Sequence, residues 1–137
     1  MYSILICDDE KDIRELIGEK VTAQYPEAQI IYYPSGDELL SADKPIDILF
    51  LDIQMPGFDG FSVIQGLMEV EPPLVVFVTA YSDHAIRAFE TDAVDYLVKP
   101  VEPERLADAL ERVRQRLAEK RGAAEADRLK TVLAEVA

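Results

Sequence analysis

A chain of 137 residues has room for one domain with a single core, and 49% apolar with 30% charged residues is the composition of a soluble globular protein rather than a disordered or membrane chain. The formal net charge of -13 argues against a surface that grips nucleic acid by itself, because phosphate repels it. No apolar run approaches the ~20 residues that cross a bilayer, and no basic stretch precedes a long apolar one at the start, so neither a membrane span nor a signal peptide is expected.

Short apolar runs alternate with helix-like stretches. Tyr2 to Cys7 predicts a buried strand that ends at Asp8-Asp9. From Glu10 to about Gln24 the apolar positions Ile13, Leu16, Ile17 and Val21 recur at helical spacing, and Pro26 stops that helix. Ala28 to Tyr33 is a second strand. Ser35-Gly36-Asp37-Glu38 has the form of a capping box and opens a short helix through Leu40. Ile46 to Leu51 is a third strand, apolar throughout and so expected to be buried on both faces.

A loop with Pro56, Gly57 and Gly60 precedes a helix from about Phe61 to Val70, which Pro72-Pro73 breaks. Leu74 to Val78 is the most apolar strand and ends at Thr79. A fourth helix from about Asp83 to Thr91 follows, then a short strand, Tyr96 to Val98, ending at Lys99-Pro100. Pro103 suits the first turn of the last helix, whose apolar face is Leu106, Leu110, Val113 and Leu117. Five strand-and-helix units in succession imply an α/β fold: a five-stranded parallel sheet, doubly wound, with helices on both faces as a three-layer sandwich.

After Leu117 the pattern loosens. Gly122 interrupts it, and Leu129, Val132, Leu133 and Val136 then recur at helical spacing. Residues 1–118 are expected to form the domain, and 119–137 a helical extension or interdomain linker. A coiled coil would need a heptad sustained over several turns, which is absent. Residues 102–137 hold 8 basic and 8 acidic residues, so the excess of acid lies in the first part of the chain, with 6 basic against 19 acidic. The single Cys7 sits in an apolar run, where a buried structural thiol is expected, and a reducing cytoplasm suits it.

Ligands bind beyond the carboxyl ends of the strands in open sheets of this kind. The first strand ends in Asp8-Asp9, the third in Asp52, the fourth in Thr79 and the fifth in Lys99. Three carboxylates in one crevice repel one another unless a cation neutralises them, and their hard oxygens suit Mg²⁺. An ammonium and a hydroxyl beside them are equipment for phosphoryl transfer.

Asp8-Asp9, the run Leu51-Asp52-Ile53-Gln54-Met55-Pro56-Gly57 with Gly60, Val78-Thr79-Ala80 and Asp95 to Pro100 together resemble the signature blocks of response-regulator receiver domains. The likeness covers about residues 2–118, in family order and spacing. It implies a flavodoxin-like fold and a two-component signalling switch. Asp52 would take a phosphoryl group from a sensor histidine kinase. Asp9 and Asp52 would hold Mg²⁺ directly, Asp8 partly through water, and the Gln54 backbone carbonyl would complete the protein ligands. Lys99, with a cis bond to Pro100, would contact the phosphoryl group, Thr79 would move to bond it, and Tyr96 would rotate inward. That motion would remodel the face of the fourth helix, fifth strand and fifth helix, a surface for output and possible homodimerisation. The segment from Ala80 to Glu90 with Ala93 to Tyr96 resembles receivers that precede a LytTR-type DNA-binding domain, so DNA would be reached only through such an output domain; the alternative is a stand-alone receiver.

Each residue also has a plainer reading. Asp8 and Asp9 suit a helix cap. Asp52 alone suits a turn, Thr79 a strand-end hydroxyl, Lys99 a solvated lysine and Tyr96 a core aromatic. His84, the only histidine, reads as a surface residue. Among rival functions, a phosphatase of the haloacid-dehalogenase type would carry a second Asp two positions after the nucleophile, where this chain has Gln54. A flavodoxin-like cofactor binder would want a glycine- and hydroxyl-rich loop where Asp8-Asp9-Glu10 stands. A degenerate receiver that signals without phosphate is opposed by the intact Asp9, Asp52, Thr79 and Lys99. The product of such a switch is a conformation, so no metabolic enzyme is expected.

Overall fold

The computed structural model describes residues 2–34, 46–53, 73–80 and 93–136. The helices expected over 35–40, 61–70 and 83–91, the loop at Pro56 to Gly60, and Gln54, Tyr81 and His84 lie outside these residues.

Five strands form one sheet: β1 (Ser3–Cys7), β2 (Gln29–Tyr33), β3 (Ile48–Leu51), β4 (Leu74–Thr79) and β5 (Asp95–Val98). Their order is β2-β1-β3-β4-β5 and every pairing is parallel. The chain reverses its direction of travel across the sheet between β1 and β3, which makes their carboxyl ends the topological switch point.

Side chains alternate across the sheet with period two, and both faces are buried. Ile4, Ile6, Ile48, Phe50, Val76 and Val78 point to one face, where Ile13, Ile17 and Val21 of α1 (Lys11–Gln24) and Leu106, Ala109, Leu110 and Val113 of α2 (Pro103–Val136) cover them. Leu5, Cys7, Leu49, Leu51, Val75 and Phe77 form a second cluster on the opposite face. Cys7 is fully buried, as its apolar surroundings require.

Two expectations are corrected. The third strand starts at Ile48 rather than Ile46, because Asp47 turns its carboxylate to accept the Ser3 N–H at 2.8 Å and its backbone N–H donates to the Ser3 carbonyl at 2.9 Å. Gly122 does not interrupt the last helix, which runs unbroken for 34 residues. A glycine within a helix costs about 1 kcal/mol, too little to end one flanked by good helix formers. No helix among the described residues is long and apolar enough to cross a membrane.

Candidate functional site

Ladder hydrogen bonds continue one residue past three strand ends, and each of those residues carries a candidate side chain. The Asp8 N–H donates to the Tyr33 carbonyl at 3.1 Å, the Asp52 N–H to Cys7 at 2.9 Å, and the Lys99 N–H to Thr79 at 2.8 Å. The sheet itself therefore sets the floor of the crevice. Asp8, Asp52 and Thr79 are buried, whereas Asp9 is exposed. One carboxylate oxygen from each of Asp8, Asp9 and Asp52 lies within 4.8 Å of the others.

Lys99 bridges the cluster. Its Nζ stands 3.0 Å from Asp52 Oδ2, 3.2 Å from both Asp8 oxygens and 3.2 Å from Glu10 Oε1. Burial alone would pull its pKa down. The hydrogen bond and charge of Asp52, with those of Asp8, override burial and hold the ammonium above the ordinary lysine range. The Lys99–Pro100 peptide bond is cis.

Asp8 is in the opposite position. Burial pushes its pKa up to about 6; the Glu10 N–H opposes the rise, the Asp52 charge adds to it, and Lys99 offsets part of it. Its Oδ1 accepts the Glu10 N–H at 2.8 Å, a turn that leads into α1. The helix-cap reading of Asp8 and Asp9 is not met: Glu10 holds the cap position and no side chain makes a cap hydrogen bond there. Asp8 Oδ2 is buried and accepts no hydrogen bond among the described residues, although Lys99 lies nearby. A buried carboxylate oxygen without a donor needs an electrostatic partner. One ammonium against Asp8, Asp9, Glu10 and Asp52 leaves net negative charge in the crevice, and the hard oxygen donors fit a divalent cation such as Mg²⁺.

Thr79 closes β4 opposite Val98 and is fully buried. Tyr96, on β5, stacks its ring on Phe77 with centroids 5.8 Å apart and planes 11° apart. It is partly buried against the second core cluster.

Three contributors escaped the sequence reading as site residues. Glu10 adds a fourth carboxylate, a neighbour in sequence that alternation alone places outside the pocket. Arg14, one turn into α1, donates from Nη1 to the Asp8 carbonyl at 2.8 Å and ties the helix to the crevice rim. Asp95 lies buried beneath Arg105 and Arg112: Arg105 Nη1 and Nη2 meet its two oxygens at 2.8 and 2.6 Å, and Arg112 Nη1 stands 2.8 Å from Oδ1. Arg105 Nη2 also donates to the Tyr96 carbonyl at 2.9 Å, so this cluster locks α2 to β5 beside Tyr96.

The fold and site define a doubly wound α/β domain with an acidic, lysine-bridged crevice at its switch point. The chain belongs to the response regulator receiver domain family, whose model matches residues 4–111. It is 44% identical over 117 residues to the positive alginate biosynthesis regulatory protein of Pseudomonas aeruginosa, covering 80% of this chain and 46% of that protein. It is 35% identical over 121 residues to the sensory transduction protein LytT of Bacillus subtilis, covering 84% of this chain and 49% of that one. The chain thus spans about half the length of the curated relatives it matches. Among solved structures, the REC domain of AraT, a response regulator from Geobacillus stearothermophilus, aligns with a TM-score of 0.75 at 29% identity, over 88% of this chain and 98% of that one.

Proposed function

We propose that this domain is a phosphoryl-accepting switch in which Asp52 is the acceptor. The observation that carries the reading is the Asp8, Asp9 and Asp52 cluster bridged by Lys99, with Nζ 3.0 Å from Asp52 Oδ2. An Asp52 carboxylate oxygen attacks phosphorus in the phosphohistidine of a sensor histidine kinase. The new O–P bond forms as the P–N bond breaks, and the imidazole leaves with the electron pair. Lys99 balances charge on the phosphoryl oxygens, and the Thr79 hydroxyl donates a hydrogen bond to one of them.

Asp8, Asp9 and Asp52 would hold Mg²⁺, with the Gln54 carbonyl as a further ligand. When bound, the ion neutralises the carboxylates and the phosphoryl oxygens so that two anions can meet. The movement of Thr79 makes room for Tyr96 to turn inward. Its neighbours Asp95 and Arg105 pass that change to the β5 and α2 surface, where output and homodimerisation would be read.

Residues 1–118 form the receiver and 119–137 the linker in this reading. Output in this reading is transcriptional, through a C-terminal DNA-binding domain of LytTR type in the cytoplasm, and the likeness to the sensory transduction protein LytT supports the LytTR part. Incubation with acetyl phosphate, with and without Mg²⁺, followed by intact mass measurement tests the reading. One added phosphoryl group that requires Mg²⁺ and is lost in Asp52→Asn is expected; an equal gain in the variant contradicts it.

A further inference from the structure

The last helix carries two apolar faces, and only one is used. Leu106, Leu110 and Val113 are buried and Leu117 is partly buried, all against the sheet. Arg121 continues that side, its guanidinium lying 6.0 Å from the Tyr2 ring centre and hydrogen-bonded to the Tyr2 hydroxyl. Beyond it, Leu129, Val132 and Leu133 are 60%, 52% and 58% exposed.

Leu129 and Leu133 do not extend the first face, and Val132 lies on the flank between the two. At 100° per residue, the line through Ala126, Leu129 and Leu133 points roughly 160° away from the line through Leu106, Leu110, Val113 and Leu117. Since the helix is unbroken through Gly122, the receiver body cannot cover this second line.

Gly122, Ala126, Leu129 and Leu133 are spaced four, three and four residues apart, the rhythm of a coiled-coil seam held for under two heptads, short of the sustained repeat of a full coiled coil. The small residues come first, where a paired helix would have to approach past the receiver body. On the flanks of the seam stand Glu125 and Lys130, five residues apart. In a parallel two-stranded pair this is the separation at which a residue on one helix faces the other residue on its neighbour. Among the described residues neither Glu125 nor Lys130 is in an ion pair within its own chain, though Lys11–Glu15 and Arg114–Glu111 are. Twofold symmetry forms the cross-helix contact twice. An antiparallel pair would set Glu125 against Glu125 and Lys130 against Lys130.

We propose that Ala126, Leu129 and Leu133 form a parallel, two-stranded pairing surface for a second copy of this chain, with Glu125 of each copy facing Lys130 of the other. The surface is separate from the β5 and α2 face, and it does not depend on phosphoryl chemistry. A seam of little more than one heptad holds two helices only weakly, so the pairing is concentration-dependent.

Sedimentation equilibrium of the full chain, without Mg²⁺ or phosphoryl donor and at low salt, tests it. The wild-type mass is expected to rise with concentration from the 15.4 kDa of one chain towards twice that value. Leu129→Ser with Leu133→Ser abolishes the rise, with unchanged circular dichroism and melting of the receiver. Glu125→Lys or Lys130→Glu alone weakens it by placing like charges together, and the two combined restore it. A single-chain mass at every concentration overturns the proposal. So does a dimer that survives the serine pair, or a doubly reversed variant no tighter than the single ones.

Discussion

Lys99 Nζ lies 3.0 Å from Asp52 Oδ2, and this contact joins the fifth strand to the third across the fourth. The same ammonium reaches Asp8 and Glu10, so one cation holds together side chains from both sides of the switch point. Removing it in Lys99→Ala takes positive charge from where the phosphoryl oxygens would arrive. Loss of one such preorganised group costs about 10²-fold or more in rate. Phosphorylation of Lys99→Ala by acetyl phosphate, followed by intact mass against time, is expected to be slower by that order, with Mg²⁺ affinity retained. An unchanged rate would show that Lys99 serves only the resting structure.

The raised pKa of Asp8 makes a stability prediction of definite sign. Its value in the folded chain, about 6, lies above the ordinary 3.8, so folding favours the protonated form. Between these values the folded chain binds more protons than the unfolded one, and stability falls as pH rises. Above pH 6 the full cost of the buried charge is present. In chelator-treated protein at pH 7, Asp8→Asn is therefore expected to raise the melting temperature, with the gain fading as the pH is lowered towards 4. Mg²⁺ should stabilise the wild type more than the variant. Thermal melts at several pH values with and without Mg²⁺ check this.

Asp95 has the opposite sign. Burial alone would raise its pKa, but the Arg105 hydrogen bonds, the Tyr96 N–H and the charges of Arg105 and Arg112 together hold it below the ordinary carboxylate range. Its stabilising contribution is present above the unfolded value of 3.8 and is lost as pH falls through the lowered folded value. Asp95→Ala removes the carboxylate that the Tyr96 N–H, Arg105 and Arg112 share and is expected to cost about 1 to 3 kcal/mol at neutral pH. In urea melts the gap between variant and wild type should narrow only once the pH has fallen below 3.8, as the folded carboxylate takes up its proton.

The strands were legible because parallel strands buried on both faces are nearly continuous in apolar residues, as Ile48–Leu51 and Leu74–Thr79 are. Their ends were less so. Ile46 and Asp47 look like strand, but the Asp47 carboxylate accepts the Ser3 N–H and the strand begins only at Ile48. The acids of the crevice were visible because each follows an apolar strand directly, and the ladder bonds of Asp8, Asp52 and Lys99 keep that order in space. The Asp95 cluster was not visible, since Arg105 and Arg112 meet it only once α2 has folded back across β5, and no local pattern marks such a contact. Gly122 misled in the other direction, because a local residue preference of about 1 kcal/mol is outweighed by the helix formers around it.

The central claim is that Asp52 itself carries the phosphoryl group, and its bond is open to direct chemical location. An acyl phosphate is reduced by borohydride to an alcohol, which converts the aspartyl residue to homoserine, whereas phosphate esters of serine, threonine or tyrosine survive. The protein should be treated with Mg²⁺ and acetyl phosphate, reduced, digested and sequenced by tandem mass spectrometry. Homoserine at position 52, absent without Mg²⁺, is the result predicted. Homoserine at position 8 or 9 instead, or a phosphoryl group that persists through reduction, would contradict the account.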